Sequence, residues 1–146
     1  GIHRSPVHAQ RLAEMGIVPI AQDDTAAVNA AAAQAEVVYD ATGGSLAEAI
    51  LSVMPETGTF VCYGLLSGQT FRQQRPLPRV AWFHIRNYLD ALSAEAWQAE
   101  FRRIWPKLRA SQCSDVTLYP LSEWQRAVGN YREAGRTGKP MLSMDN

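Results

Sequence analysis

Arg4 and Ser5 stand side by side in the stretch IHRSP, and together they can hold a phosphate. An arginine fork meets a phosphate through two parallel hydrogen bonds, and a serine adds a hydroxyl and a backbone N–H at the start of a helix. In a dinucleotide-binding βαβ unit the second strand ends beside the adenosine ribose. A basic residue there suits a 2′-phosphate, and an acid suits a free 2′-hydroxyl. IHRS reads as such a strand end. The same two residues also fit a solvent-facing arginine beside an N-capping serine, and the residues alone leave both readings open.

A second candidate is EVVYDATGGSLAEAI, residues 36–50. A β-branched run ends at Asp40, two glycines follow, and an alanine-rich amphipathic segment begins. The spacing is neither GxGxxG nor GxxxxGK[ST], so neither phosphate-loop fingerprint is present. The glycine pair can take positive φ and leave backbone exposed at the carboxyl end of a strand, where ligands dock on parallel sheets. Tyr63-Gly64 closes the next strand in the same way, which marks the carboxyl edge of the sheet as the ligand edge.

Other chemistry is sparse. His84 and Arg86 alternate with Phe83 and Ile85 on a candidate strand. His84 could serve as an acid, but a hydrogen-bonded structural histidine is the commoner use of that pattern. No Ser/His/Asp arrangement can be argued, and Asp23-Asp24 reads as a helix start. The two cysteines, Cys62 and Cys113, form no CxxC, and His3, His8 and His84 have no ligand spacing. No metal is therefore expected in this segment. The thiols read as buried or incidental, and the four tryptophans as core packing.

The elements that position these residues alternate. Ser5 and Pro6 open a helix with His8, Leu12 and Met15 on one face, and Gly16 closes it. Residues 17–21 read as a strand, and Asp23, Asp24 and Thr25 start a small-residue helix. Val37 to Ala41 is a strand, with a helix after it carrying Leu46, Ile50 and Val53. Pro55 and Gly58 end that helix, and TFVCYG is the next strand. Strict alternation with short loops predicts a parallel sheet flanked by helices, and continuous apolar strand runs predict cover on both faces. LLSGQTFRQQRPLPR then reads as a long polar connection, and VAWFHIRNYL as a strand. Ser93 caps a helix that Pro106 should bend or end. DVTLYPL is a strand, Ser122 and Gln125 form a capping box, and GKPMLSM is a final strand.

The chain has 146 residues, enough for one compact domain. Fourteen basic residues balance fourteen acidic ones, which argues against a nucleic-acid binder. No apolar run approaches the roughly 20 residues of a membrane span, and no signal peptide is visible. The low cysteine count suits a reducing compartment and a cytoplasmic protein.

The order of segments resembles the medium-chain dehydrogenase/reductase superfamily, of the zinc-binding alcohol dehydrogenase, quinone oxidoreductase and enoyl reductase type. IHRSPVHAQRLAEMGI looks like the second strand end and its helix. VVYDATGGSLAEAILSVMPETGTFVCYGLLSGQ looks like the long central signature, HIRNYL like the strand after it, and LYPLSEWQRAVGNYREAGRTGKPML like the C-terminal end. The resemblance implies an α/β fold, a Rossmann-type doubly wound parallel sheet that is incomplete, with the first strand and the glycine-rich loop missing from the chain. Residues 1–146 would be a partial NAD(P)-binding domain including the C-terminal end of a longer protein, with the N-terminal catalytic domain absent. A missing central strand would expose ladder groups that another chain could cover.

Carried over residue by residue, the resemblance places Arg4 and Ser5 at the adenosine phosphate of NADP(H). Thr42 and Gly43 fall near the nicotinamide ribose, and Tyr63, Gly64 and Leu65 at the nicotinamide end. Arg86 and Asn87 approach the cofactor, and the edge strand around Val80–Leu89 pairs a homodimer. The expected function is the cofactor-binding portion of an NADP(H)-dependent reductase of a quinone, enone or enoyl thioester. Two alternatives are a portion of a zinc-dependent alcohol dehydrogenase and a non-catalytic Rossmann-like association module.

Overall fold

The computed structural model describes residues 1–111, 115–133 and 135–144. They form two compact units, one of Gly1–Ala21 with Phe101–Asn146 and one of Gln22–Glu100.

In the first unit, strand β1 (Ile2–His3) runs parallel to β2 (Ile20–Ala21). A 3₁₀ turn over Pro6–His8 and helix α1 (Ala9–Glu14) connect them. Ser5 holds the N-cap position with extended backbone, but its side chain makes no capping bond. Pro6, whose fixed φ suits a first turn, starts the turn instead. Gly16 stops α1 in the left-handed region at φ 74°. The predicted strand over residues 17–21 shrinks to its last two residues. The same unit holds β6 (Asp115–Pro120) and β7 (Gly138–Ser143), parallel and paired from Asp115↔Gly138 to Pro120↔Ser143. Helix α6 (Trp124–Arg132) joins them and buries Ala127. Ser122 does not cap it, because a 3₁₀ turn over Leu121–Glu123 makes Glu123 the N-cap.

In the second unit, β3 (Val37–Asp40), β4 (Thr59–Cys62) and β5 (Arg79–Trp82) form a parallel sheet in that order. Helix α2 (Thr25–Ala32) is capped by the Asp24 carboxylate, which accepts from the Ala27 N–H at 3.0 Å. Helix α3 (Gly44–Val53) is the crossover between β3 and β4. The core gathers Val28 and Ala32 of α2, Ala47, Ile50 and Leu51 of α3, and Met54, Phe60 and Cys62.

Burial alternates along β3 and β4. The register aligns Val38 with Phe60 and Asp40 with Cys62, and that face is the buried one. Val37 and Tyr39 on the opposite face are 47% and 73% exposed. The continuous apolar runs had predicted cover on both faces; within this unit only one face is sealed. β3 is an edge strand, so one side of its ladder has no partner in this sheet.

Two further expectations are corrected. VAWFHIRNYL is not one strand. β5 ends at Trp82, and the last ladder bond runs from the Phe83 N–H to the Cys62 carbonyl, at 2.8 Å. Beyond it β4 has turned away at Gly64, so Ile85–Leu89 satisfies its backbone as helix α4 instead. Of the two outcomes expected at Pro106, a bend or an end, the end does not occur, since helix α5 (Ala94–Ala110) runs through it. Ser93 does cap it, accepting from the Ala96 N–H at 3.2 Å. The tryptophans are not all core: Trp82, Trp105 and Trp124 are 60%, 51% and 51% exposed. Trp82 lies on an edge strand, and no residue of α5 is buried.

Candidate functional site

The DATGG turn is built by one carboxylate. Asp40, 5% exposed, accepts from the Thr42 N–H at 3.0 Å through Oδ1 and from the Gly43 N–H at 2.9 Å through Oδ2. The chain then enters Gly43 at φ 69°, ψ −159°, a conformation that a residue with a Cβ rarely adopts. Gly44 follows at φ 63° and opens α3.

A second loop closes over the first. The Tyr63 N–H donates to the Asp40 carbonyl at 2.8 Å, Leu66 N–H to Ala41 at 2.9 Å, and Ser67 Oγ–H to Thr42 at 2.7 Å. In return the Gly44 N–H donates to the Gln69 carbonyl at 3.1 Å. Gly64 permits the approach, since a Cβ there would stand 3.0 Å from the Ala41 oxygen. The expectation that the glycine pair leaves its backbone exposed does not hold. Gly43 and Gly44 are buried, and their amides are spent within the two loops.

The structure therefore brings Thr42, Gly43, Gly64 and Leu65 into one assembly at the carboxyl ends of β3 and β4. Tyr63 is 53% exposed beside them. Arg86 and Asn87 sit exposed on α4, past the carboxyl end of β5. Beneath the turn, Cys62 is 1% exposed and donates to the Gly64 carbonyl at 3.3 Å. Burial, reinforced by the nearby Asp40 charge, pushes its thiol above the ordinary range and outweighs the Gly64 bond. The expectation of a buried thiol holds for Cys62, whereas Cys113 lies outside the described residues.

Arg4 and Ser5 belong to the other unit. Arg4 is exposed at the end of β1 and shares a cleft of about 420 Å³ with His3, His8 and Arg11. Arg4 precedes the extended Ser5 and lies outside the helix, so helical spacing does not place it beside His8 and Arg11. The sequence predicts an apolar face of His8, Leu12 and Met15. That face lines the open cleft rather than a core, and Met15 is 50% exposed. Gly135 (φ 75°) comes so near Ser5 that a Cβ there would stand 2.8 Å from the Ser5 Oγ.

Among the described residues, no three or more of His, Cys, Asp and Glu are grouped to hold a metal ion. No helix among them is long and apolar enough to cross a membrane. The described residues fit parts of a dinucleotide site: a cleft after β1 lined by Arg4, Arg11, His3 and His8, and two glycine-tightened turns at the strand ends.

Parallel strands joined by helices, with tight turns at their carboxyl ends, define a Rossmann-type α/β protein. This chain belongs to the zinc-binding dehydrogenase family, whose sequence model matches residues 17–142. That places it in the medium-chain dehydrogenase/reductase superfamily, as its segment order had suggested. No curated protein sequence matches it significantly. Among solved structures it is similar to a Bacillus thuringiensis protein assigned as an NADPH:quinone reductase. The TM-score is 0.80 at 23% identity, over 99% of this chain and 48% of that one. A similarly assigned protein from Mesorhizobium loti has a TM-score of 0.73 at 19% identity, over 97% of this chain and 44% of that one. The CurK enoyl reductase has a TM-score of 0.70 at 20% identity, over 99% and 46%. These likenesses establish the fold. The chain spans about half the length of the structures it matches.

Proposed function

We propose that residues 1–146 are the cofactor-binding portion, including the C-terminal end, of a longer NADP(H)-dependent reductase acting on a conjugated carbonyl. The substrate would be a quinone, an enone or an enoyl thioester. The observation that carries the reading is the cationic cleft holding Arg4 at the end of β1. The names of the structural neighbours, NADPH:quinone reductase and enoyl reductase, support the same class.

When bound, the nicotinamide supplies the hydride, and the protein supplies binding and orientation. Arg4 and Ser5 hold the adenosine phosphate. The turn locked by Asp40 fixes Thr42 and Gly43 for the nicotinamide ribose. Tyr63, Gly64 and Leu65 line the nicotinamide end, and Arg86 and Asn87 approach from α4. Because Gly43 and Gly44 spend their amides internally, Thr42 and the half-exposed Tyr63 provide the polar contacts there. The edge strand β5 pairs a homodimer, and the low cysteine count fits a cytoplasmic setting.

The test is consumption of NADPH and of NADH by the full-length protein with a quinone, an enone and an enoyl thioester in turn. Turnover of at least one acceptor with NADPH, and much weaker turnover with NADH, is expected. Inactivity with all three, or equal use of the two nucleotides, would contradict the proposal.

A further inference from the structure

Two imidazoles line the same cleft as Arg4, and a purely guanidinium-based anion site would not need them. His3 comes from β1 and His8 from the 3₁₀ turn. Arg4 and Arg11 stand with them around a cleft of about 420 Å³, within the size range of small-ligand sites. Both histidines are partly buried, and the Nδ1 of His3 is buried without a hydrogen-bond partner.

Other charged groups near this cleft have partners of their own. Glu14 of α1 is exposed and accepts from the Gln10 side chain at 2.8 Å. The N-terminal ammonium of Gly1 donates to the Val18 carbonyl at 2.7 Å. Arg136, next to the Gly135 that abuts Ser5, donates to the Gly138 carbonyl at 3.0 Å and stacks 4.7 Å from the Tyr131 ring centre. Among the described residues that line the cleft there is no carboxylate.

We infer that this cleft is a proton-linked phosphomonoester site: imidazolium at His8 and His3 joins Arg4 and Arg11 in holding the 2′-phosphate, so preference for the phosphorylated nucleotide strengthens as pH falls. The inference rests on the NADP(H) reading and adds a regulatory property and three residues to it. A histidine ordinarily changes charge near neutral pH. A dianion bound beside it stabilises the protonated ring, and by linkage protonation tightens the dianion. The phosphate's own second ionisation, near pH 6, works the other way, since its charge grows as pH rises. The sign of the pH effect therefore separates imidazole control from simple titration of the ligand.

The experiment measures binding of 2′,5′-ADP and of 5′-AMP to the full-length protein between about pH 6.5 and 8. The ratio of the two affinities isolates the 2′-phosphate. In wild type the ratio is expected to fall about fivefold or more with rising pH. In His8→Gln the fall should be largely abolished, and in the double variant His3→Gln/His8→Gln entirely so. By NMR, the imidazole pKa of His8 should rise when 2′,5′-ADP is added and not when 5′-AMP is added. A ratio above one that is flat or rises with pH, or an unchanged fall in the double variant, overturns the proton linkage and leaves the cofactor reading standing. A ratio near one at every pH overturns both.

Discussion

Asp40 and Gly43 are bound to each other across the turn that follows β3. The Gly43 N–H donates to a carboxylate oxygen of Asp40 at 2.9 Å, and Asp40 is 5% exposed. Its other oxygen takes the Thr42 N–H, so one side chain satisfies two turn amides. Asp40→Asn keeps the shape but offers one acceptor for two donors. It should destabilise the fold by about 1.5–3 kcal/mol, the range for charged hydrogen bonds. Urea unfolding measures this, and a loss below about 0.5 kcal/mol would show that the turn does not depend on the carboxylate.

Gly43 and Gly68 share the sign of φ but not their surroundings. At Gly43 an added Cβ would stand 2.5 Å from Leu65 Cδ2 and 2.6 Å from the Gln69 oxygen; at Gly68 it would meet nothing within 4 Å. Gly68→Ala should cost only the local backbone penalty of about 1–2 kcal/mol. Gly43→Ala should cost more than that, at least about 3 kcal/mol, because the Gln69 backbone must also shift. Equal losses in thermal or urea unfolding would contradict the close approach of the two loops.

Arg75 ties the long connection to a helix end. Its Nη2 donates to the carbonyls of Leu51 at 2.9 Å and Met54 at 3.0 Å, where α3 leaves carbonyls unpaired and the helix dipole is negative. Arg75→Ala should lower stability by about 1.5–3 kcal/mol. Arg75→Lys should fall between, keeping the charge without the fork. A loss below about 0.5 kcal/mol in the alanine variant would show that the helix end does not depend on these bonds.

Cys62 makes stability depend on alkaline pH. Its thiol titrates above the ordinary range in the folded state, chiefly through burial, so the folded chain binds more protons than the unfolded one once pH exceeds about 8.5. The contribution is fully present below that pH and declines as pH rises toward the folded-state value. Urea stability compared between about pH 7 and 9.5 should fall more in wild type than in Cys62→Ala. Identical slopes in the two proteins would contradict the shift.

Local rules made much of this fold legible in the sequence. Asp24 caps α2, Gly16 stops α1, and Val37 to Asp40 with its glycine pair forms the strand–turn–helix that the residues describe. Expectations that needed tertiary knowledge failed. Residues 83–89 carry β-favouring side chains, but the ladder ran out at Cys62 and α4 formed instead. The connection after Gly64 has no periodicity to read. Nonetheless, Phe71 stacks on Trp82 at 5.1 Å and meets Phe60 edge-on at 5.5 Å, Arg72 N–H reaches Glu48, and Arg75 holds α3. In the candidate site, the glycines do fall just past the carboxyl ends of β3 and β4. The sealing of the turn by the loop through Ser67 and Gln69 depends on contacts 25 residues apart in the case of Thr42 and Ser67. Arg4 meets His8 and Arg11 at one cleft through the bend at Ser5 and Pro6, which no periodicity records.

The proposed selection of a 2′-phosphorylated dinucleotide through Arg4 is measured most directly by the ratio of NADH to NADPH dissociation constants for the full-length protein, wild type and Arg4→Ala. NADPH should bind at least about tenfold more tightly in wild type, consistent with a bidentate charged contact, and Arg4→Ala should remove most of that preference. Equal affinities in wild type, or a preference that survives Arg4→Ala intact, would contradict the account.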